Sequence, residues 1–169
     1  MFSMVARLTA AGALLMASVA SAQATKAQSE IAAAMRGATH VALADAIEKA
    51  TATGNPISAR YEFEDGKLKL SVFVEKAGAF SEIFFDHTTG KVAQIDKITS
   101  GDDLKEAKAE SKVSAKAKKS LSSAVAKALA ANPGYVAVDV TPIFQGKLPV
   151  ADITLMKDGK FKGVSEPIS

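Results

Sequence analysis

The chain has 169 residues, of which 48% are hydrophobic and 23% are charged, a balance typical of globular proteins. It contains no cysteine and only two histidines, His40 and His87, which excludes disulfides, thiol chemistry and histidine-rich metal sites. The 21 basic and 18 acidic residues leave a formal charge of +3, too small a surplus to indicate a nucleic-acid-binding protein.

The first 24 residues have the pattern of a secretory signal peptide. A positively charged start is followed by an apolar stretch from Leu8 to Val19, and small residues precede cleavage positions after Ala22 or Ala24. A membrane-spanning helix needs about 20 apolar residues, so this stretch is too short to act as one. We therefore predict a periplasmic or secreted protein with no stable membrane insertion after the signal is removed.

A helix followed by strands occurs twice in the rest of the chain, at a shift of about 80 residues. The segment Leu43 to Ala50 aligns with Leu121 to Ala128, and Gly66-Lys67-Leu68 aligns with Gly146-Lys147-Leu148. In both copies a helical apolar stripe ends at a Pro/Gly break, and alternating apolar residues separated by glycine turns follow. The chain therefore contains two copies of one structural pattern.

The first copy is predicted to contain one amphipathic helix and four strands. Leu43, Ile47 and Ala50 recur at helical spacing, which places them on one face. Asp65-Gly66 suits a tight type I′ hairpin, because both of its central residues need positive φ. Apolar and polar residues alternate on either side of that turn, and the predicted strands span 57–64, 68–74, 80–86 and 92–98.

The second copy is shorter, and the segment between the copies is highly charged. Pro142 and Pro149 each remove a backbone donor, and no fourth strand follows, so we expect this copy to depend on contact with the first. Lys108, Lys112 and Lys116 place like charges on one helical face, which favours a solvated linker or frayed helix over a contact with an anionic surface.

These patterns predict an α+β fold of two tandem units, each with one helix packed on a three- to four-stranded antiparallel sheet. The predicted organisation is a signal peptide (1–24), an N-terminal segment (25–38), unit 1 (39–98), a charged linker (99–119) and a truncated unit 2 (120–169).

The first copy resembles a PepSY domain. The alanine-rich helix of Leu43 to Ala50, the alternating strands and the ending Asp86-His87-Thr88-Thr89-Gly90-Lys91 carry the resemblance. It covers residues 39–98 well and 120–165 more loosely, because the second copy lacks the Asp…Thr-Gly-Lys ending. PepSY domains occur in propeptides of secreted peptidases and as free-standing envelope proteins. The resemblance implies tandem PepSY-like units that restrain or regulate a peptidase and carry no catalytic residues.

Neither histidine lies in a pattern that indicates catalysis. The sequence has no nucleophile elbow and no phosphate-binding loop, and Asp86 with His87 offers a metal only two adjacent ligands. Asp86, Thr89 and Gly90 are typical of a turn. We therefore predict that the protein is not an enzyme and has no catalytic residue, metal site or cofactor.

The candidate partner-binding residues are Phe73, Phe80 and Phe84. If the apolar residues of the second and third strands face the helix, alternation places these three phenylalanines together on the opposite face. A patch of that size favours a protein partner, although cover by the second unit is an equal alternative. The partner expected is an envelope or secreted peptidase or another protein, and not nucleic acid. Two other classes stay open: a small-ligand or metal-binding periplasmic module, and a structural envelope protein.

Overall fold

The computed structural model describes residues 25–169, so the predicted signal peptide lies outside the described residues. Residues 25–169 form four helices and seven strands. In chain order they are α1 (Lys26–Ala34), α2 (Leu43–Ala50), β1 (Asn55–Glu64), β2 (Lys67–Lys76), β3 (Ala79–Phe85), β4 (Val92–Ile98), α3 (Gly101–Ser114), α4 (Leu121–Ala131), β5 (Val136–Gln145), β6 (Leu148–Lys157) and β7 (Lys160–Pro167).

All seven strands belong to one antiparallel sheet, in the order β4-β3-β2-β1-β5-β6-β7. The turn between β1 and β2 has positive φ at Asp65 (52°) and Gly66 (74°), which confirms the predicted tight hairpin. At the centre of the sheet, β1 pairs with β5 through Ala59 opposite Val140 and Arg60 opposite Asp139. This central pairing joins the strands of the two sequence copies.

The prediction of two tandem PepSY-like units, each with one helix on three or four strands, is wrong. The strands form a single sheet, and Ile83 of the first copy and Ile153 of the second belong to one apolar core under α2 and α4. Ser122 of α4 also donates a hydrogen bond to Glu48 of α2. In the predicted arrangement of two separate sheets, β1 and β5 each have one edge without a strand partner. Pairing them removes two exposed edges and lets two small copies share one core.

Helices α1, α2 and α4 cover one face of the sheet. The N-terminal segment contributes α1, which begins with a capping box between Thr25 and Gln28 and buries Ile31 and Ala32 against the core. At the other end of the chain Ile168 is fully buried, and its amide donates to the Pro149 carbonyl at 3.1 Å. No helix in this part of the chain combines the length and apolarity that a membrane crossing requires.

The segment 99–119, which the sequence pattern assigned to a charged linker, contains α3. This helix lies across the other face of the sheet, called here the α3 face, where Leu104 and Ala107 pack against Ile57 and Phe73. Regular alternation would place Ile57 on the same face as Ala59 and Tyr61, toward α2 and α4. A β-bulge between Pro56 and Ser58 turns Ile57 toward α3 instead. A short apolar contact therefore anchors an otherwise charged helix.

Candidate functional site

Phe73, Phe80 and Phe84 share the α3 face of the sheet, on β2 and β3. Helix α3 buries Phe73 and Phe80, which are 4% and 8% exposed, whereas Phe84 is half-buried. The ammonium of Lys69 lies 5.9 Å from the centre of the Phe84 ring. A partner can reach Phe73 and Phe80 only if α3 moves, and Phe84 is the member of the trio that solvent reaches.

Arg60 lies at the centre of the α3 face, where β1 meets β5. Its guanidinium carbon is 4.5 Å from the centre of the Phe73 ring, within the range of a cation–π contact. Its Nε is 3.2 Å from Glu62 Oε1, an ion-pair distance without the geometry of a hydrogen bond. Asp139 is the residue opposite Arg60 in the register of β1 and β5. Arg60 thus lies beside two carboxylates, Glu62 on its own strand and Asp139 across the central pairing.

Three carboxylates beneath or beside α3 are largely withdrawn from water: Glu82, Glu110 and Asp139. Burial raises the pKa of each, to about 6 for Asp139, while the charge of Arg60 acts in the opposite direction. Glu110 accepts a hydrogen bond from Ser58 Oγ at 2.6 Å. Arg60 acts on all three carboxylates, so its single positive charge neutralises only part of the negative charge beneath α3.

A groove of about 770 Å³ opens between α3 and the end of β5. Its floor is mainly apolar and is lined by Pro142, Ile143 and Phe144 from β5 and Val113 from α3. Alternation along β5 places Ile143 on the α3 face and Phe144 on the other face. The Phe144 side chain is 45% exposed, an unusual position for a phenylalanine. Among the described residues β1 pairs with β5 only as far as Val140, and Pro142 has no N–H with which to continue that pairing. The groove lies where the two strands separate.

Three lysines of α3 form the rim of the groove. Lys105, Lys108 and Lys112 are exposed, and their spacing keeps them on one side of the helix. Lys105 also contacts Asp102 at 2.7 Å, an exposed pair that leaves the lysine charge accessible. Glu106 and Glu110 line the groove too, and the Glu110 carboxylate is turned to Ser58, so the lysines outnumber the exposed acid at the rim. The groove therefore combines an apolar floor with a positively charged rim.

The two histidines meet on the opposite face of the sheet, near α2. His40 Nδ1 and His87 Nδ1 are 3.0 Å apart although 47 residues separate them in sequence. Residues 25–169 contain no group of three or more histidine, cysteine, aspartate and glutamate side chains arranged to hold a metal ion. The sequence places His87 in a turn, and the structure brings that turn to His40.

Sequence reasoning missed the groove for a physical reason. The position of Arg60 beside Asp139 depends on the pairing of β1 with β5, which leaves no local pattern. Ile143 and Phe144 are the one available signal, because two consecutive apolar residues after a proline break the alternation of a half-buried strand.

No family model matches this chain, and no curated protein or solved structure is significantly similar to it. The resemblance of residues 39–98 to PepSY domains therefore stays a prediction.

Proposed function

We propose that this chain is a non-enzymatic binding protein of the periplasm or the secreted fraction. It holds an acidic, extended segment of a partner protein in the groove between α3 and β5. The partner class is an envelope or secreted peptidase, as the PepSY resemblance implies, or another envelope protein. One observation carries the proposal: an apolar floor, lined by Ile143 and the end of β5, is bordered by a row of lysines.

The apolar floor supplies the anchor. Ile143 lies on the α3 face of β5, and an apolar side chain of the partner that covers Ile143 and Val113 removes apolar surface from water. Beyond Val140 the edge of β5 that faces β1 has no strand partner within residues 25–169, which suits a partner segment in extended conformation.

The lysine rim supplies the preference for an acidic partner. Lys105, Lys108 and Lys112 present three cations along about two turns of α3. Carboxylates placed opposite them raise the rate of encounter, and acidic side chains are therefore favoured over basic ones in the bound segment. The effect weakens with salt, because exposed charges are screened over about 10 Å at 0.1 M ionic strength.

The test is site-specific photo-crosslinking in the cells that produce the protein. A benzoylphenylalanine residue replaces Phe144 in the groove or, as a matched control, Val92 on the edge strand β4, which is 53% exposed. We expect a discrete crosslinked protein from position 144 and none from position 92. Sequencing of the crosslinked peptide should find a segment with acidic residues. Equal products from both positions, or none from position 144, contradict the proposal.

Charge reversal distinguishes an effect of the lysine rim from an effect of the protein's net charge. Lys105, Lys108 and Lys112 are changed together to Glu, and the control changes three exposed lysines elsewhere to Glu. The control set is Lys91, Lys97 and Lys160. Both variants have the same net charge, and we expect only the groove variant to lose the crosslink from position 144. Loss in both variants shows that total charge, and not the groove, attracts the partner.

A further inference from the structure

The two histidines of the chain form a pair whose nitrogens are already placed for a shared ligand. His40 lies in the loop before α2, and His87 lies in the turn between β3 and β4. Their Nδ1 atoms are 3.0 Å apart, the ring centres are 5.0 Å apart, and the rings are tilted by 40°. Both side chains are half-buried, so small solutes reach the pair from solvent.

Backbone hydrogen bonds fix the two segments against each other. The Val41 amide donates to the His87 carbonyl at 2.8 Å, and the Tyr61 hydroxyl donates to the Val41 carbonyl at 2.6 Å. In the turn, Asp86 Oδ1 accepts from the amides of Thr88 and Thr89 at 2.9 and 2.7 Å. The rings therefore meet because the backbone holds the two segments together, and a ligand between them finds both side chains already adjacent.

The separation of the two nitrogens matches a metal chelate. Nitrogens about 2.0 Å from one metal ion lie about 2.8 Å apart at a right angle and about 3.3 Å apart at the tetrahedral angle. The observed 3.0 Å lies between these values. Without a metal, the contact is a hydrogen bond that uses one proton. A metal ion bound by both nitrogens lies off the line that joins them, so the rings turn to direct their lone pairs at it while the nitrogens keep this separation.

Partial burial and the second ring act on His40 in the same direction. Burial lowers the pKa of His40, and the charge of His87 lowers it further. The Met35 carbonyl acts in the opposite direction, but Nε2 of His40 makes no hydrogen bond of good geometry among the described residues.

We infer that His40 and His87 form a two-imidazole site for a divalent transition metal, with copper(II) bound more tightly than zinc. Imidazole suits both ions, and copper(II) forms the most stable complexes of the first-row divalent metals with nitrogen ligands. The protein supplies two ligands, and solvent completes the coordination. This site lies on the α2 side of the sheet and is independent of the groove proposed to bind a partner.

The first test uses the purified protein and copper(II) alone. Because the chain contains exactly two histidines, its proton NMR spectrum has two histidine Cε1–H signals. At a small fraction of one equivalent of copper(II), we expect both signals to broaden together, since one ion contacts both rings. Broadening of the His87 signal alone, or of neither, overturns the chelate.

Titration calorimetry of variants gives the second test. We expect His40→Gln and His87→Gln each to weaken copper(II) binding by at least about tenfold, since the loss of a ligand costs no less than the loss of its supporting contacts. The double variant measures binding by the amino terminus and by surface carboxylates. Equal affinity of the wild type and the double variant contradicts the inference. The NMR test on the wild type stands even if a variant fails to fold.

Discussion

The two faces of the sheet use the same strands for different purposes. Toward α2 and α4, β1, β2, β5 and β6 present mainly aliphatic side chains, such as Leu70, Val140 and Ile153, all 1% exposed or less. Toward α3, the same strands present Arg60 and Asp139 beside phenylalanine, and α3 contributes a charged surface. Because successive side chains point to opposite faces, one face can be optimised for packing while the other keeps polar groups.

This difference indicates where stability and binding reside. The α2 and α4 face contains the core that spans both sequence copies, whereas the α3 face contains a small cluster of Ile57, Phe73, Phe80 and Ala107. Substitutions on the first face should affect folding of the whole chain. Substitutions on the second should have smaller effects that depend on pH.

The largest expected effect is that of Ile153→Ala. Ile153 is 1% exposed in the shared core, and loss of a large buried aliphatic group typically costs about 2–5 kcal/mol of the free energy of unfolding. Urea unfolding can be followed separately at Tyr61 in the first copy and Tyr135 in the second, by changing the other tyrosine to Phe. We expect both probes to report one transition, shifted equally. Two separate transitions would contradict a shared core.

Asp139→Asn should stabilise the protein, and only above acidic pH. The folded-state pKa of about 6 exceeds the ordinary 3.8, so the folded chain holds this proton more tightly than the unfolded chain. Stability is therefore lost as pH rises from about 4 to about 6, by at most about 3 kcal/mol. We expect the variant to gain up to that amount at pH 7.5 and to match the wild type below pH 4. A variant less stable at pH 7.5 would mean that attraction to Arg60 outweighs burial.

Ser58→Ala should lower the free energy of unfolding by about 1–2 kcal/mol at neutral pH. The substitution removes the hydroxyl donor on β1 to the half-buried carboxylate of Glu110 on α3. Chemical denaturation at pH 7 measures the effect. Ser81→Ala, at a half-buried position on β3, is the control and should change the free energy of unfolding by less than about 0.5 kcal/mol. Equal losses in both variants would show that α3 does not depend on this contact.

The smallest effect is expected for Phe84→Ser. Its ring is half-buried beside Lys69, so the substitution should cost about 1 kcal/mol or less, in contrast to a change at the buried Phe73. Thermal unfolding of the Phe84 and Phe73 variants, measured side by side, checks the contrast. A Phe84 variant as unstable as the Phe73 variant would place Phe84 in the folding core of the α3 face.

The local elements were largely predictable from the sequence. The alternation over 57–64 lies within β1, Asp65 and Gly66 form the predicted turn, and the three phenylalanines share one face. These features depend on neighbours in sequence, so periodicity and turn chemistry are enough to find them.

The assembly was not predictable in the same way. Only two residue pairs join β1 to β5, and nothing in either strand marks them as partners. The spacing of Lys108 and Lys112 argues against a helix, yet Leu104 and Ala107 hold α3 on the sheet. The groove and the histidine pair both follow from such tertiary contacts, and neither has a sequence motif of its own.

Strand β4 has a consequence for handling of the protein at high concentration. It forms one outer edge of the sheet, and Val92 and Ile95 are about half exposed along it. An open edge of this kind can pair with a second molecule and begin fibre growth, and charged side chains such as Asp96 and Lys97 on the edge oppose that growth. Concentrated solutions should therefore stay clear at low ionic strength, and added salt should shorten the time before they turn turbid.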